Sequence, residues 1–176
     1  MSYKIMYKEE DIIKRCKELA PQIQEYFNNE PFTMVGILNG AIMFFCELSK
    51  HFDEKIPVEF DFMSCTSYYD GRATTGVVKI NKDLDKSIEG KNVLIVEDII
   101  DSGYTLKYVK KLLEDRLPKK VAICTLLDKH CKRKADIESD FVGFEIDDKF
   151  VVGYGLDWDY ASRNWPFIGY IETTKE

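Results

Sequence analysis

Residues 93–106, Val-Leu-Ile-Val-Glu-Asp-Ile-Ile-Asp-Ser-Gly-Tyr-Thr-Leu, place three carboxylates and two aliphatic hydroxyls directly after an apolar run. The run Val93 to Val96 reads as a strand buried on both faces, which belongs to a parallel sheet covered by helices. Ligands of such sheets bind beyond the carboxyl ends of the strands. The spacing predicts that the strand ends at Glu97 and Asp98 and that Asp101 to Thr105 opens a helix. A helix start presents unpaired N–H groups and a partial positive charge, which attract phosphate. Gly103 permits close approach, and Ser102 and Thr105 offer hydroxyls to phosphate oxygens. Acids beside a phosphate are unfavourable unless something else requires them. Glu97 and Asp98 suit a metal ion or sugar hydroxyls, and Asp101 suits a general base. The plainer alternative is that the acids cap the next helix. It is weakened by three acids and two hydroxyls falling within Glu97 to Thr105.

Other phosphate chemistries fit less well. The chain has no Gly-x-x-x-x-Gly-Lys-[Ser/Thr] loop. Gly153-Tyr-Gly155 begins like a dinucleotide fingerprint, but Trp158 stands where the third glycine belongs. A receiver-type phosphoacceptor domain explains the carboxylates and leaves the Ser-Gly-x-Thr run unexplained.

The elements that must position these residues follow from apolar periodicity. Ile12, Ile13, Cys16, Leu19, Ile23 and Phe27 share a helical face within residues 9–27, with Pro21 expected to kink or split the helix. Phe32 to Leu38 reads as a buried strand that Asn39-Gly40 turns into an apolar helix, Ala41 to Leu48. Val58 to Cys65 and Val77 to Ile80 read as strands. Residues 66–76 carry two glycines and no apolar periodicity, so they read as a mobile loop of the kind that serves as a lid. Thr105 to Leu113 is a helix and Lys120 to Leu127 a buried strand. Phe141 to Ile146 and Phe150 to Leu156 read as two further strands. Alternation of this kind predicts an α/β fold with a mostly parallel central sheet flanked by helices. With no linker or repeat, residues 1–176 are expected to form one domain.

At 176 residues and 45% hydrophobic composition, the chain can bury a core without staples. A formal charge of −6 argues against a nucleic acid partner, which requires a clustered basic surface. Five cysteines, none spaced Cys-x-x-Cys, point to a reduced, cytoplasmic protein. No apolar run approaches the roughly 20 residues of a membrane span, and no signal-peptide pattern opens the chain. His130 and Cys131 read as loop residues. The apolar helix at 41–48 is hydrophobic nearly all round, so it is either deeply buried or covered by a partner subunit.

The sequence from the apolar run through Glu97-Asp98-Ile-Ile-Asp101-Ser102-Gly103-Tyr104-Thr105 closely resembles the phosphoribosyl-diphosphate motif of type I phosphoribosyltransferases. Leu126-Leu-Asp-Lys129, Asp140-Phe-Val-Gly-Phe-Glu-Ile146 and Lys149-Phe-Val-Val-Gly-Tyr-Gly-Leu-Asp157 resemble the purine half of the hypoxanthine-guanine members. The similarity runs from about Val35 to Ile171. It implies the type I phosphoribosyltransferase fold, with a small hood subdomain built from the N- and C-terminal segments. It also implies purine salvage: phosphoribose would pass from 5-phospho-α-D-ribose 1-diphosphate to N9 of hypoxanthine, guanine or xanthine, releasing diphosphate. A regulator that senses phosphoribosyl diphosphate while binding nucleic acid is the alternative, and the acidic balance opposes it.

Residue roles follow from the resemblance. Asp101 to Thr105 would wrap the 5′-phosphate, Tyr104 through its backbone alone. Glu97 and Asp98 would receive the ribose hydroxyls, and Asp101 would be the base for the purine N7 proton. Lys129 would contact the 6-oxo group, Phe150 would stack on the base and Val151 would meet it through its backbone. Asp157 would join Glu97 and Asp98 around Mg²⁺, beside the purine. Leu38, Asn39, Gly40 and Arg163 would bind diphosphate, with Asn39 standing where many relatives carry Lys. Ser67 and Tyr68 would belong to the mobile loop, and a homodimer or homotetramer is implied.

Overall fold

The computed structural model describes residues 2–70, 73–158 and 161–172, with side chains described outside 67–77. Six strands form the main sheet: β2 (Phe32–Leu38), β3 (Val58–Asp70), β4 (Ala73–Lys82), β5 (Asn92–Ile100), β6 (Lys120–Asp128) and β7 (Phe141–Glu145). Their spatial order is β4-β3-β2-β5-β6-β7, parallel throughout except for the antiparallel β3–β4 pair.

Both faces of the central strands are covered, and alternation sorts their side chains. Leu94 and Val96 of β5 face helices α1 (Glu9–Tyr26) and α2 (Ile42–Ser49), packing with Ile12, Leu19, Ile23, Phe44 and Leu48. Val93 and Ile95 face the other way, against Leu106, Val109 and Leu113 of α3 (Tyr104–Glu114). The strand therefore needs apolar residues at every position, which is why its sequence shows no polar alternation.

The two crossovers diverge. From β2 the chain passes through α2 on one face to β3, and from β5 it passes through α3 on the other face to β6. Such a switch between neighbouring strands opens a crevice at their carboxyl ends. Here the crevice lies between β2 and β5, whose pairing stops at Gly36–Val96.

A second, three-stranded sheet has the order β1-β9-β8: β1 (Tyr3–Tyr7), β8 (Val151–Val152) and β9 (Ile168–Ile171). It joins the N- and C-terminal segments, as the expected hood requires. Tyr7 ties it to the main sheet by stacking on Phe144 at 3.9 Å between ring centres.

Four readings of the sequence need correction. Helix α1 runs through Pro21 without splitting. Pro21 lies on the exposed side, where the carbonyl it leaves unpaired in the preceding turn can meet water. Strand β5 does not end at the acids but continues to Ile100, still paired with β6 through Ile99–Leu127 and Ile100–Asp128. The backbone at 66–70 and 73–76 belongs to a hairpin rather than a loop, since β3 and β4 pair out to Asp70–Ala73. Ser67 and Tyr68 thus lie in β3, and their side chains are outside the described residues. Finally, the strand expected over Phe150 to Leu156 is only Val151–Val152, followed by a tight turn bridged between Gly153 and Leu156. No helix among the described residues is long and apolar enough to cross a membrane.

Candidate active site

Strand β5 carries Glu97 and Asp98 past the point where β2 has left it; Glu97 lines the pocket at the α3 start, and Asp98 lies against Gly40 of the turn after β2. Their side chains are hydrogen-bonded to each other, and crowding by protein holds both above the usual carboxylate range. Glu97 is shifted strongly, by burial first and then by the neighbouring Asp98 charge. For Asp98, burial is opposed by the bond from Glu97, by the Ile99 N–H donating to Oδ1 at 2.7 Å, and by Arg163. Two carboxylates so placed disfavour each other's charge, and a cation or hydrogen-bond donor between them relieves it.

Three separate segments meet around Asp98 and Gly40. The first is the turn after β2, where the Leu38–Asn39 peptide is cis and Asn39 is exposed. A Cβ on Gly40 would lie 1.7 Å from Oδ2 of Asp98, so only glycine fits. The second is the turn after β8. Gly155 has φ of +99°, and a Cβ there would sit 2.0 Å from the Gly40 carbonyl oxygen. The third is Arg163, whose Nη1 donates to the Gly155 carbonyl at 2.6 Å and whose Nη2 meets Asp157 Oδ1 at 3.1 Å. The residues read separately as diphosphate and metal ligands thus form one connected wall.

The other side of the crevice is the start of α3. Gly103 is its N-cap, with φ of +83°, so no cap side chain competes for the first-turn N–H groups. Glu97, Ile99, Ile100, Asp101, Ser102, Gly103, Thr105 and Leu106 line a small pocket there. Asp101 and Tyr104 are exposed, and Ser102 is half-buried. The first turn of α3 contains no acid.

Toward the hood, Lys129 follows β6 directly, and its N–H donates to the Ile100 carbonyl at 3.0 Å. Its side chain is buried, contrary to the solvated turn lysine that its position alone suggests. Phe150 is 54% exposed, unusual for a phenylalanine entering a strand, and Val151 is buried in pairing with Tyr170. Lys132 and Asp148 meet at 2.6 Å, linking the 3₁₀ turn His130–Lys132 after Lys129 to the turn before Phe150.

Two groups escaped sequence reasoning. Arg133 lies within Lys132-Arg-Lys134, which reads as a solvated basic run, yet it is buried against Asp128 behind the α3 start. In the sequence Gly155 stands in an incomplete dinucleotide fingerprint and in the Lys149 to Asp157 run, neither of which gives it a role of its own. Its real signal is the spacing to Arg163, which becomes meaningful once the turn is folded. A larger cavity, about 410 Å³, lies at the opposite end of the sheet. Its charged lining is already paired, Glu30 with Lys119 and Glu59 with Lys91.

This combination of a doubly covered parallel sheet, an acid pair at its switch point and an uncapped glycine helix start defines a phosphoribosyl-binding class. Residues 2–159 match the phosphoribosyl transferase domain. The hypoxanthine-guanine phosphoribosyltransferase of Bacillus subtilis is 49% identical over 96% of this chain and 93% of that protein. That of Aquifex aeolicus is 47% identical over 96% and 94%. Among solved structures, a hypoxanthine phosphoribosyltransferase from Staphylococcus aureus superposes with a TM-score of 0.92 at 47% identity, covering 96% and 91%. A hypoxanthine-guanine enzyme from Bacillus anthracis gives 0.91 at 43%, covering 96% and 98%. The chain belongs to the phosphoribosyltransferase family, within its hypoxanthine-guanine branch.

Proposed function

We propose that this chain transfers phosphoribose from 5-phospho-α-D-ribose 1-diphosphate to N9 of hypoxanthine, and likewise of guanine and xanthine, releasing diphosphate. The observation that carries this reading is the meeting of the Glu97–Asp98 pair, the Gly40 turn and Arg163 opposite the α3 start. Such a crevice offers one wall to diphosphate, another to a 5′-phosphate, and two acids between them.

Division of labour follows from charge. First-turn N–H groups of α3, with Ser102 and Thr105, hold the 5′-phosphate. Gly40 N–H and Arg163 receive the diphosphate, and Asn39 adds an uncharged donor where a lysine would add charge. Glu97 and Asp98 accept from the ribose hydroxyls and stabilise the positive charge that grows on the sugar as diphosphate departs. Asp101 takes the purine N7 proton. Lys129 donates to the 6-oxo group, which excludes adenine because an exocyclic amine cannot accept that bond. Phe150, half exposed at the hood edge, stacks on the base.

Glu97 and Asp98 form an oxygen donor set whose mutual repulsion a divalent cation would relieve, and this fits Mg²⁺. Asp157, already engaged by Arg163, is the third candidate ligand. Bound there with diphosphate, Mg²⁺ supplies neutralisation of the leaving group. Ser67 and Tyr68, on the β3–β4 hairpin, are proposed to cover the site and exclude water during turnover. Half-exposed Phe60 on β3, edge-on to Phe45 at 5.0 Å, offers apolar surface for a second copy in a homodimer or homotetramer.

Protein supplied with Mg²⁺, phosphoribosyl diphosphate and hypoxanthine should release diphosphate and form IMP. Absence of turnover with hypoxanthine, guanine and xanthine alike would overturn the proposal.

A further inference from the structure

Behind the α3 start lies an ion pair that the transfer chemistry does not touch. The side chains of Arg133 and Asp128 are only 8% and 6% exposed, with Nη2 and Oδ1 2.5 Å apart. Nη1 of Arg133 donates to the main-chain carbonyl of Asp101 at 3.2 Å. The Arg133 Nε is buried without a partner among the described residues. The arginine stem also backs Gly103, where a Cβ would sit 3.1 Å from Cδ. One residue further along, the Ser102 carbonyl accepts from the N–H groups of Lys134 and Ala135, at 3.1 and 2.9 Å.

A buried charge pair of this kind is a poor stability device, because matched apolar side chains commonly serve as well. What they cannot do is hold a carbonyl. A trans peptide is planar, so its C=O and the following N–H point in opposite directions. With the Asp101 carbonyl drawn back to Arg133, the Ser102 N–H is turned the other way. With the Ser102 carbonyl drawn back to Lys134 and Ala135, the Gly103 N–H is turned likewise. Successive N–H groups aimed to one side make an anion-binding concavity.

We propose that Arg133 is a positioning residue for the sugar-phosphate substrate: anchored by Asp128, it fixes the Asp101–Ser102 peptide so that its N–H faces the 5′-phosphate. Asp128 immediately precedes Lys129, so the same anchor ties the phosphate side of the crevice to the end of β6. The inference rests on the reading that residues 101–105 hold the 5′-phosphate.

The test replaces the pair by apolar side chains, Asp128→Leu with Arg133→Met, which leaves no lone buried charge. The double variant should keep its melting temperature within a few degrees and raise KM for phosphoribosyl diphosphate about tenfold or more, the scale of a lost charge-assisted hydrogen bond. KM for hypoxanthine should stay within about twofold of the starting value, because the base is held by other residues. Arg133→Lys keeps the charge beside Asp128 and should show the same split, smaller, whether or not the double variant folds. Equal rises in both KM values, or none in either variant, would overturn the inference. Ser102→Ala and Thr105→Ala separate the two layers of the argument. If they raise KM for phosphoribosyl diphosphate while the Arg133 variants do not, the Arg133 inference alone falls. If they too leave it unchanged, the assignment of residues 101–105 falls with it.

Discussion

Asp98 rests against the α-carbon of Gly40, with its Oδ2 1.7 Å from where a Cβ at position 40 would stand. A strand-borne acid and a turn glycine are thereby fitted to each other across the gap between β2 and β5. Gly40→Ala must push the carboxylate aside or open the turn. Misplacement on the ångström scale costs about 10²-fold in rate. The expected result is a fall of that size in kcat/KM for phosphoribosyl diphosphate, with an intact circular dichroism spectrum. A variant within twofold of the parent would show that the contact does not matter to the reaction.

Asp101 is exposed at the head of α3. Asp101→Asn should therefore fold normally and bind phosphoribosyl diphosphate, while kcat falls about 10²- to 10⁴-fold if the carboxylate is the base. Single-turnover kinetics with calorimetric binding separates the two. Near-normal turnover would remove Asp101 from that role.

In the proposed function, Phe150 and Lys129 divide base recognition between stacking and polarity. Because the Phe150 ring is 54% exposed, Phe150→Ala should leave the melting temperature almost unchanged. Loss of a base–aromatic stack is worth about 1–3 kcal/mol, so KM for hypoxanthine should rise roughly 5- to 150-fold. Lys129→Ala should also raise that KM, and it should narrow the gap between hypoxanthine and adenine. Unchanged kinetics with both bases would reject the lysine's part.

The Glu97–Asp98 pair gives a pH signature with a definite sign. Both carboxyls are raised above the ordinary carboxylate range, Glu97 by burial and then by Asp98. The folded state therefore retains protons that the unfolded chain has released. Stability contributed by these protons is full below about pH 4, the unfolded carboxylate range, and is lost as pH rises through the raised values. Cation binding must displace the proton, so Mg²⁺ should raise the melting temperature more as pH increases across that window. Glu97→Gln should flatten both trends. A Mg²⁺ effect independent of pH, or one that survives the substitution intact, would contradict this account.

Much of this was legible in the residues themselves. Phe32 to Leu38, Val93 to Val96 and Lys120 to Leu127 are apolar because both faces are covered, and their order announces the parallel sheet. The acids were visible too, but their strand was cut short. Ile99 and Ile100 carry on the pairing with β6 after β2 has gone, and an edge of that kind leaves no mark on periodicity. The β3–β4 hairpin also leaves no mark on periodicity: Tyr69 and Thr74 pair through the backbone, and residues 66–76 carry no apolar alternation. Strand β1 pairs only with the far end of the chain, so no local signal marks it. Arg133 sits between two lysines and looks solvated until the α3 start is folded over it.

The hood has a temporal meaning as well as a spatial one. Its middle strand is β9, and both β1 and β8 depend on it for their hydrogen bonds. The parallel sheet, the acid pair and the α3 start all lie within residues 32–145 and need no pairing with residues 168–171. Val151, next to Phe150, does need it. Closing a loop that spans nearly the whole chain is among the slower steps available to a domain of this size. On the proposed assignment, the segment that meets the base is therefore the part of the site whose order depends on β9.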